Sequence, residues 1–235
     1  GAHPPETDHA ELRRYLAHGH SLARPGVPSR SVIDASVLAG ARAAQTALDT
    51  WLAELAPVDP ARSSLLPGWS VGHVLTHLAR NADSHVRMLA GEPQYPGGVA
   101  QREADIAAGA GRPWGEQLAD LRRAQRDLDA AWTAVTDWGA LAVRRNGIHP
   151  ASELPFARWR EVEVHRADLG LGYTFADMPA EYVRRELARL TMRYRASKPI
   201  GLTQLPSAAA TAPPATRLAW LMGRVEIADL PPAGI

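Results

Sequence analysis

Apolar positions along this chain recur mostly at intervals of three and four residues, the period of helices with one buried face. From Ile33 to Leu55 the stripe runs Ile33, Val37, Leu38, Ala41, Ala44, Leu48, Trp51, Leu52 and Leu55, and Pro60 follows as a stop. A loop, "LLPGWS", then places Ser70 as the N-cap of a second helix, Val71 to Leu89, which Gly91 ends. Residues 91 to 113 hold too much Gly and Pro for one continuous helix, with "AQREADIAA" as a short helical piece inside. Trp114 to Trp138 forms a third long stripe, and "RRNGIHP" is a turn.

The segment "WREVEVHRADLG" is ambiguous in isolation. Glu161, Val162, Glu163, Val164 and His165 alternate as in a half-buried strand, while Glu161 and His165 stand four apart, on one face of a helix. The helical context and the C-cap candidates Gly170 and Gly172 decide for a fourth helix, from Ala151 to Leu169. Beyond Tyr173, "DMPAEYVRRELARLTMRYRAS" reads as a helix with Pro179 near its first turn. "IGLTQL" follows as one strand, "SAAATAPPA" as loop, and "TRLAWLMGRVEIADL" as an apolar helix. The fold class expected is mainly α: a four-helix bundle over 32–175 and a small, reduced α/β C-terminal domain over 176–235. Residues 1–31 stand before them as an N-terminal extension.

Composition narrows the function. The 235 residues are 46% hydrophobic and 22% charged with a net charge of +1, and the basic residues are interleaved with acids, which gives no footprint for nucleic acid. No apolar run reaches the length of a membrane span and no signal segment opens the chain, so the expected location is the cytoplasm. Cysteine is absent, which excludes disulfides, thiolate metal ligands and a cysteine nucleophile; any thiol chemistry must use a bound small molecule.

Helical bundles commonly build metal sites from side chains on facing helices. Here the candidates are Glu161 and His165 on the fourth helix and His77 on the second, a set that would leave one coordination position open. Taken alone, the spacing is a weak signal and better describes a solvated Glu–His pair with an unrelated buried His77. His73 suits a capping role, His85 an exposed helix position, and His18 and His20 a solvated extension. Asp168, three residues after His165, is placed to orient it or to lie on the surface. Ser63, Ser64 and Ser70 lack a nucleophile-elbow pattern.

Three separated stretches, "LLPGWSVGHVLTHLARNA", "YPGGVAQREADIAAGAGR" and "HPASELPFARWREVEVHRADLGLGYTFADMPAEYV", resemble the mycothiol-dependent maleylpyruvate isomerase family over roughly residues 33 to 195. The resemblance implies a DinB-like four-helix bundle, with zinc or another divalent metal held by His77, Glu161 and His165. It also implies mycothiol, a low-molecular-weight thiol of actinobacteria, as cofactor. The implied activity is thiolate addition to the cis double bond of maleylpyruvate, rotation, and loss of the thiol. "LAWLMGR" resembles the family helix end that carries a substrate-binding arginine, which puts that role on Arg224; a helix C-terminal cation is the alternative. The strands expected between "GLTQLP" and "PATRLAW" are shortened or missing, so other electrophiles come into view. A mycothiol S-transferase is the second enzymatic reading, and a metal-stabilised, non-catalytic binding module is the third.

Overall fold

The computed structural model describes residues 33–197 and 203–235. Helix α1 spans Ala35–Glu54, α2 Val71–Leu89, α3 Gly98–Ala110 and α4 Trp114–Ala134. Strands β1 (Leu141–Arg144) and β2 (Gly147–Pro150) lead through a 3-10 turn, Ala151–Glu153, into α5, Leu154–Asp168. A second 3-10 turn, Phe175–Asp177, precedes α6 (Ala180–Ala196), α7 (Ser207–Thr211) and α8 (Pro214–Leu221). Helices α1, α2, α4 and α5 form the bundle, with α1 against α5 and α4, and α2 against α4 and α5. Helix α3 lies on α2 as an outer cover.

Local chemistry sets the helix ends. Asp34 caps α1 by accepting from the Ser36 amide at 3.0 Å. Ser70 caps α2 in a reciprocal box with His73, whose Nδ1 accepts from the Ser70 amide at 3.2 Å, so His73 has the capping role. At Gly91 the backbone takes φ +81, a left-handed conformation that glycine reaches without a Cβ clash, and α2 stops. Gly40 serves packing instead: a Cβ there would lie 2.2 Å from the Trp159 ring, so α1 and α5 approach at this point because nothing projects from it.

The WREVEVHRADLG segment is helical, as its context indicates. Six details depart from the sequence reading. The short piece in 91–113 is a 13-residue helix, and the third long helix ends at Ala134. The "RRNGIHP" turn sits in an antiparallel hairpin pairing Leu141 with Pro150 through Arg144 with Gly147. Among the described residues, 176–235 contains helices and no strand, so the α/β character expected there is not found; Ile200–Leu202 of "IGLTQL" lie outside the described residues. Part of "SAAATAPPA" is helix α7, and the last apolar helix closes at Leu221, ahead of Gly223 at φ +68. Residues on both sides of 175 share one hydrophobic cluster, with Leu48, Leu75, Leu128 and Val162 beside Tyr182, Leu218 and Trp220. The N-terminal extension, His18 and His20 included, lies outside the described residues.

Candidate metal centre

Two helices supply the centre. On α2, His77 falls on the inward face one turn beyond the Ser70–His73 cap, and its side chain is buried. On α5, Glu161 and His165 stand one helical turn apart and point at the same space. A buried arginine fixes how α5 sits on α2. Arg158 Nη1 donates to the Leu78 carbonyl and to Asn81 Oδ1, both at 2.8 Å, and Nε donates to Gln45 Oε1 on α1 at 3.0 Å. Burial lowers the Arg158 guanidinium to about 10, against the pull of Glu161.

Glu161 is the hub. Its Oε2 accepts from His77 Nε2 at 2.9 Å and lies 3.5 Å from His165 Nε2. One ligand atom from each of His77, Glu161 and His165 falls within 4.8 Å of the others. Two imidazoles and one carboxylate, gathered on two helices, form a donor set suited to zinc or a similar divalent ion with a position left open. The rings of His77 and His165 meet edge to face, 4.6 Å between centroids, and Trp69 closes the other side of His77 at 5.5 Å.

The charges are graded across the site. Burial is the largest influence on each group. It lowers His77, against the hydrogen bond that the ring donates to Glu161. At His165 burial also pulls down, but the Asp168 and Glu161 carboxylates outweigh it and raise the imidazole to about 9. At Glu161 burial pushes up, and the two histidines overcome it and hold the carboxyl well below its ordinary range. Asp168 Oδ2 stands 2.9 Å from His165 Nδ1 as an ion pair without hydrogen-bond geometry, while Nε2 faces Glu161. Asp168 therefore faces His165 from a buried position rather than lying on the surface.

Arg224 reaches the same region, though its guanidinium grips Asp168: Nε donates to Oδ1 at 2.8 Å and Nη2 to Oδ2 at 3.0 Å. It borders a cavity of about 230 Å³ that Glu161, His165, Arg160 and Arg189 also line. His85, expected at the surface, is buried instead, and its Nδ1 has no hydrogen-bond partner among the described residues. Burial, then the Arg158 charge, lowers it to about 3 and keeps it neutral. The covering layer on α2 explains the error, because α3, α4, α5 and β1 all pack on that helix.

One neighbour of the centre carries no signal in the sequence. Arg102 on α3 donates from Nη2 to His77 Nδ1 at 3.0 Å and stacks between Trp69 and Tyr95, 5.9 Å from each ring. It stands inside the motif "YPGGVAQREADIAAGAGR", and nothing in that pattern signals that α3 folds back onto His77.

Bundle and site together define a helical protein with a two-histidine, one-carboxylate centre set between α2 and α5. A family model described as the mycothiol maleylpyruvate isomerase N-terminal domain matches residues 41–170, and the chain belongs to that family. Two crystal structures of a mycothiol-dependent maleylpyruvate isomerase, one of them a histidine-to-alanine mutant, are similar to it. Each superposes with a TM-score of 0.70 at 25% sequence identity, covering 81% of this chain and 89% of that one. No curated protein sequence matches. Among the described residues no helix is long and apolar enough to cross a membrane.

Proposed function

We propose that this chain is a metal-dependent enzyme of the mycothiol-dependent maleylpyruvate isomerase type, with His77, Glu161 and His165 as its metal ligands. The observation that carries the reading is the convergence of these three side chains beside a cavity, in a chain of this family that has no cysteine of its own. Zinc or a similar ion, when bound with the thiol, supplies a thiolate at neutral pH for reversible addition to an activated double bond. Such addition and reversal is the chemistry of cis–trans isomerisation.

The chain's own residues prepare that chemistry. The Asp168 carboxylate, 2.9 Å from His165 Nδ1, pairs with the charged form of that ring, and Nε2 faces Glu161. Arg224, paired to Asp168, keeps that carboxylate in place; burial pushes the carboxyl up, and His165 and then Arg224 hold it ionised. Trp69 and the His165 ring fix the plane of His77. Val164, Leu190, Leu221 and Met222 give the cavity apolar walls that limit water beside the reacting atoms. A cell that makes mycothiol, and its cytoplasm, is the setting this reading requires.

A second reading, transfer of the thiol to a larger electrophile, gains support from a neighbouring groove. It has a volume of about 560 Å³, mostly apolar walls that include Leu65, Phe175 and Val225, and Arg224 in common with the smaller cavity.

Elemental mass spectrometry of the tag-free protein beside a Glu161→Ala/His165→Ala variant tests the centre. The expected result is about one zinc per chain in the native protein and loss in the variant; equal metal in both removes the ligand assignment. Mass analysis of the reaction with maleylpyruvate and mycothiol then separates the readings. Isomerisation returns the thiol unchanged, whereas transfer consumes it in a stable adduct.

A further inference from the structure

Three arginines border the cavity beside Glu161 and His165, and they differ in what they have left to offer. Arg224 is engaged at every nitrogen: Nε and Nη2 hold Asp168, and Nη1 donates to the Met222 carbonyl at 3.0 Å. Its positive charge is matched by one carboxylate. A substrate carboxylate arriving there must compete with Asp168, and success would release the group behind His165.

Arg160 on α5 and Arg189 on α6 are arranged otherwise. Both donate to a single carboxylate, that of Glu186, which is fully buried at 0% exposure. Arg160 reaches it through Nε at 2.6 Å and Nη2 at 3.1 Å, and Arg189 through Nε at 2.9 Å and Nη2 at 2.6 Å. Each guanidinium uses one edge. The Nη1 of each has no hydrogen-bond partner among the described residues, and neither is a buried unsatisfied atom. Two cations share one anion, so the Arg160–Arg189–Glu186 trio by itself carries one net positive charge, with the ionised Glu161 as its neighbour on the same wall. Arg144 of β1, whose nearest acid is Glu153 at 3.6 Å, lies within electrostatic reach of both and adds to that field.

Geometry makes the pair a receptor rather than a structural clasp alone. Glu186 fixes both guanidinium planes from below, so their donors are ordered before a ligand arrives, and preorganised donors hold a carboxylate with less entropic loss. Glu161 and His165 line the same small space, which brings a docked carboxylate close to the open side of the metal centre.

We propose that Arg160 and Arg189, held on Glu186, form the carboxylate-binding subsite of this cavity, and that Arg224 is a positioning residue for Asp168 and His165. The ligand class is a small unsaturated dicarboxylate, one carboxylate on the arginine pair and the double bond toward Glu161 and His165. The proposal rests on the reading of this cavity as the active site.

The test is titration calorimetry of maleate into the full chain, zinc-loaded and again after chelation, with wild type, Arg189→Gln and Arg189→Lys. Arg184→Gln, an exposed change on the same helix, serves as the control. Removing a charged fork from a bound carboxylate is expected to weaken maleate at least ~10-fold in Arg189→Gln, with zinc content unchanged. Arg189→Lys keeps a cation on Glu186 without the fork, and a loss of about 3-fold is expected; this variant decides the matter if Arg189→Gln does not fold. Equal affinity in wild type and the variants, or no maleate binding by wild type, overturns the subsite. Arg189-dependent maleate binding by a chain that takes up no zinc would keep the subsite and remove the metal centre, so the two readings fail separately.

Discussion

Arg102 sets a guanidinium against the outer nitrogen of His77, where a metal-bound imidazole ordinarily donates to an acceptor. A guanidinium only donates, so this contact requires a lone pair on Nδ1 and puts the ring proton on Nε2, directed at Glu161. Metal on Nε2 requires the opposite tautomer. If His77 binds metal through Nε2 as proposed, Arg102 opposes loading, and Arg102→Gln, which offers a carbonyl to an Nδ1 proton, is expected to raise zinc affinity about 10-fold in a chelator competition titration. Unchanged affinity would show that Arg102 leaves at no cost. At this scale the sequence shows much of the centre, because the separation of Glu161 and His165 is a direct consequence of helical period. What it hides are partners that come from elsewhere. The Arg224–Asp168 pair spans 56 residues, and Arg102 meets His77 only because α3 folds back. His85 misleads for a related reason: its neighbours along α2 do not disclose that the helix is covered on most sides.

The elements are joined by close approaches and by shared charges. Gly40 is the close approach between α1 and α5, so Gly40→Leu must displace the Trp159 ring or part the helices. Overpacking of this kind costs about 1–3 kcal/mol, to be read from urea denaturation midpoints. Asp120 on α4 is the shared charge, bound by Arg80 of α2, Arg112 and Arg123. Burial pushes its carboxyl up, but the three arginines prevail and lower it to about 2. The unfolded chain then binds a proton before the folded one does as the pH drops, so stability present above about pH 4 is lost toward about pH 2. Asp120→Asn is expected to cost about 1–2 kcal/mol at pH 7, moderated by the exposed arginines, and to flatten the acid limb of a denaturation series. Long helices with strong periodicity are legible in the sequence. The β1–β2 hairpin is only half so: Asn146 and Gly147 announce a turn, while strands of four residues with mixed exposure carry too little alternation to be seen.

For the molecule, apolar packing runs across position 175, near which the register of the sequence changes. Trp220 of α8 is buried, contacts Tyr194 of α6 at 5.6 Å between centroids, and belongs to the same apolar cluster as Leu48 and Leu75. Trp220→Ala is expected to cost about 3–5 kcal/mol and to shift one calorimetric transition as a whole; two separated transitions would show a boundary there. The C-terminal region is where sequence reading is weakest, since its short helices are delimited by proline and by Gly223 more than by period. Yet its Arg224 closes a chain of contacts through Asp168 to His165. On the proposed reading of the centre, ion uptake and the anchoring of this tail are conjugate events, each altering the equilibrium constant of the other by one common factor. A chain clipped after Met222 should hold its ion more loosely, and an ion-loaded chain should resist clipping there to the same degree, so that protease digestion rates become a gauge of occupancy at a centre the protease never touches.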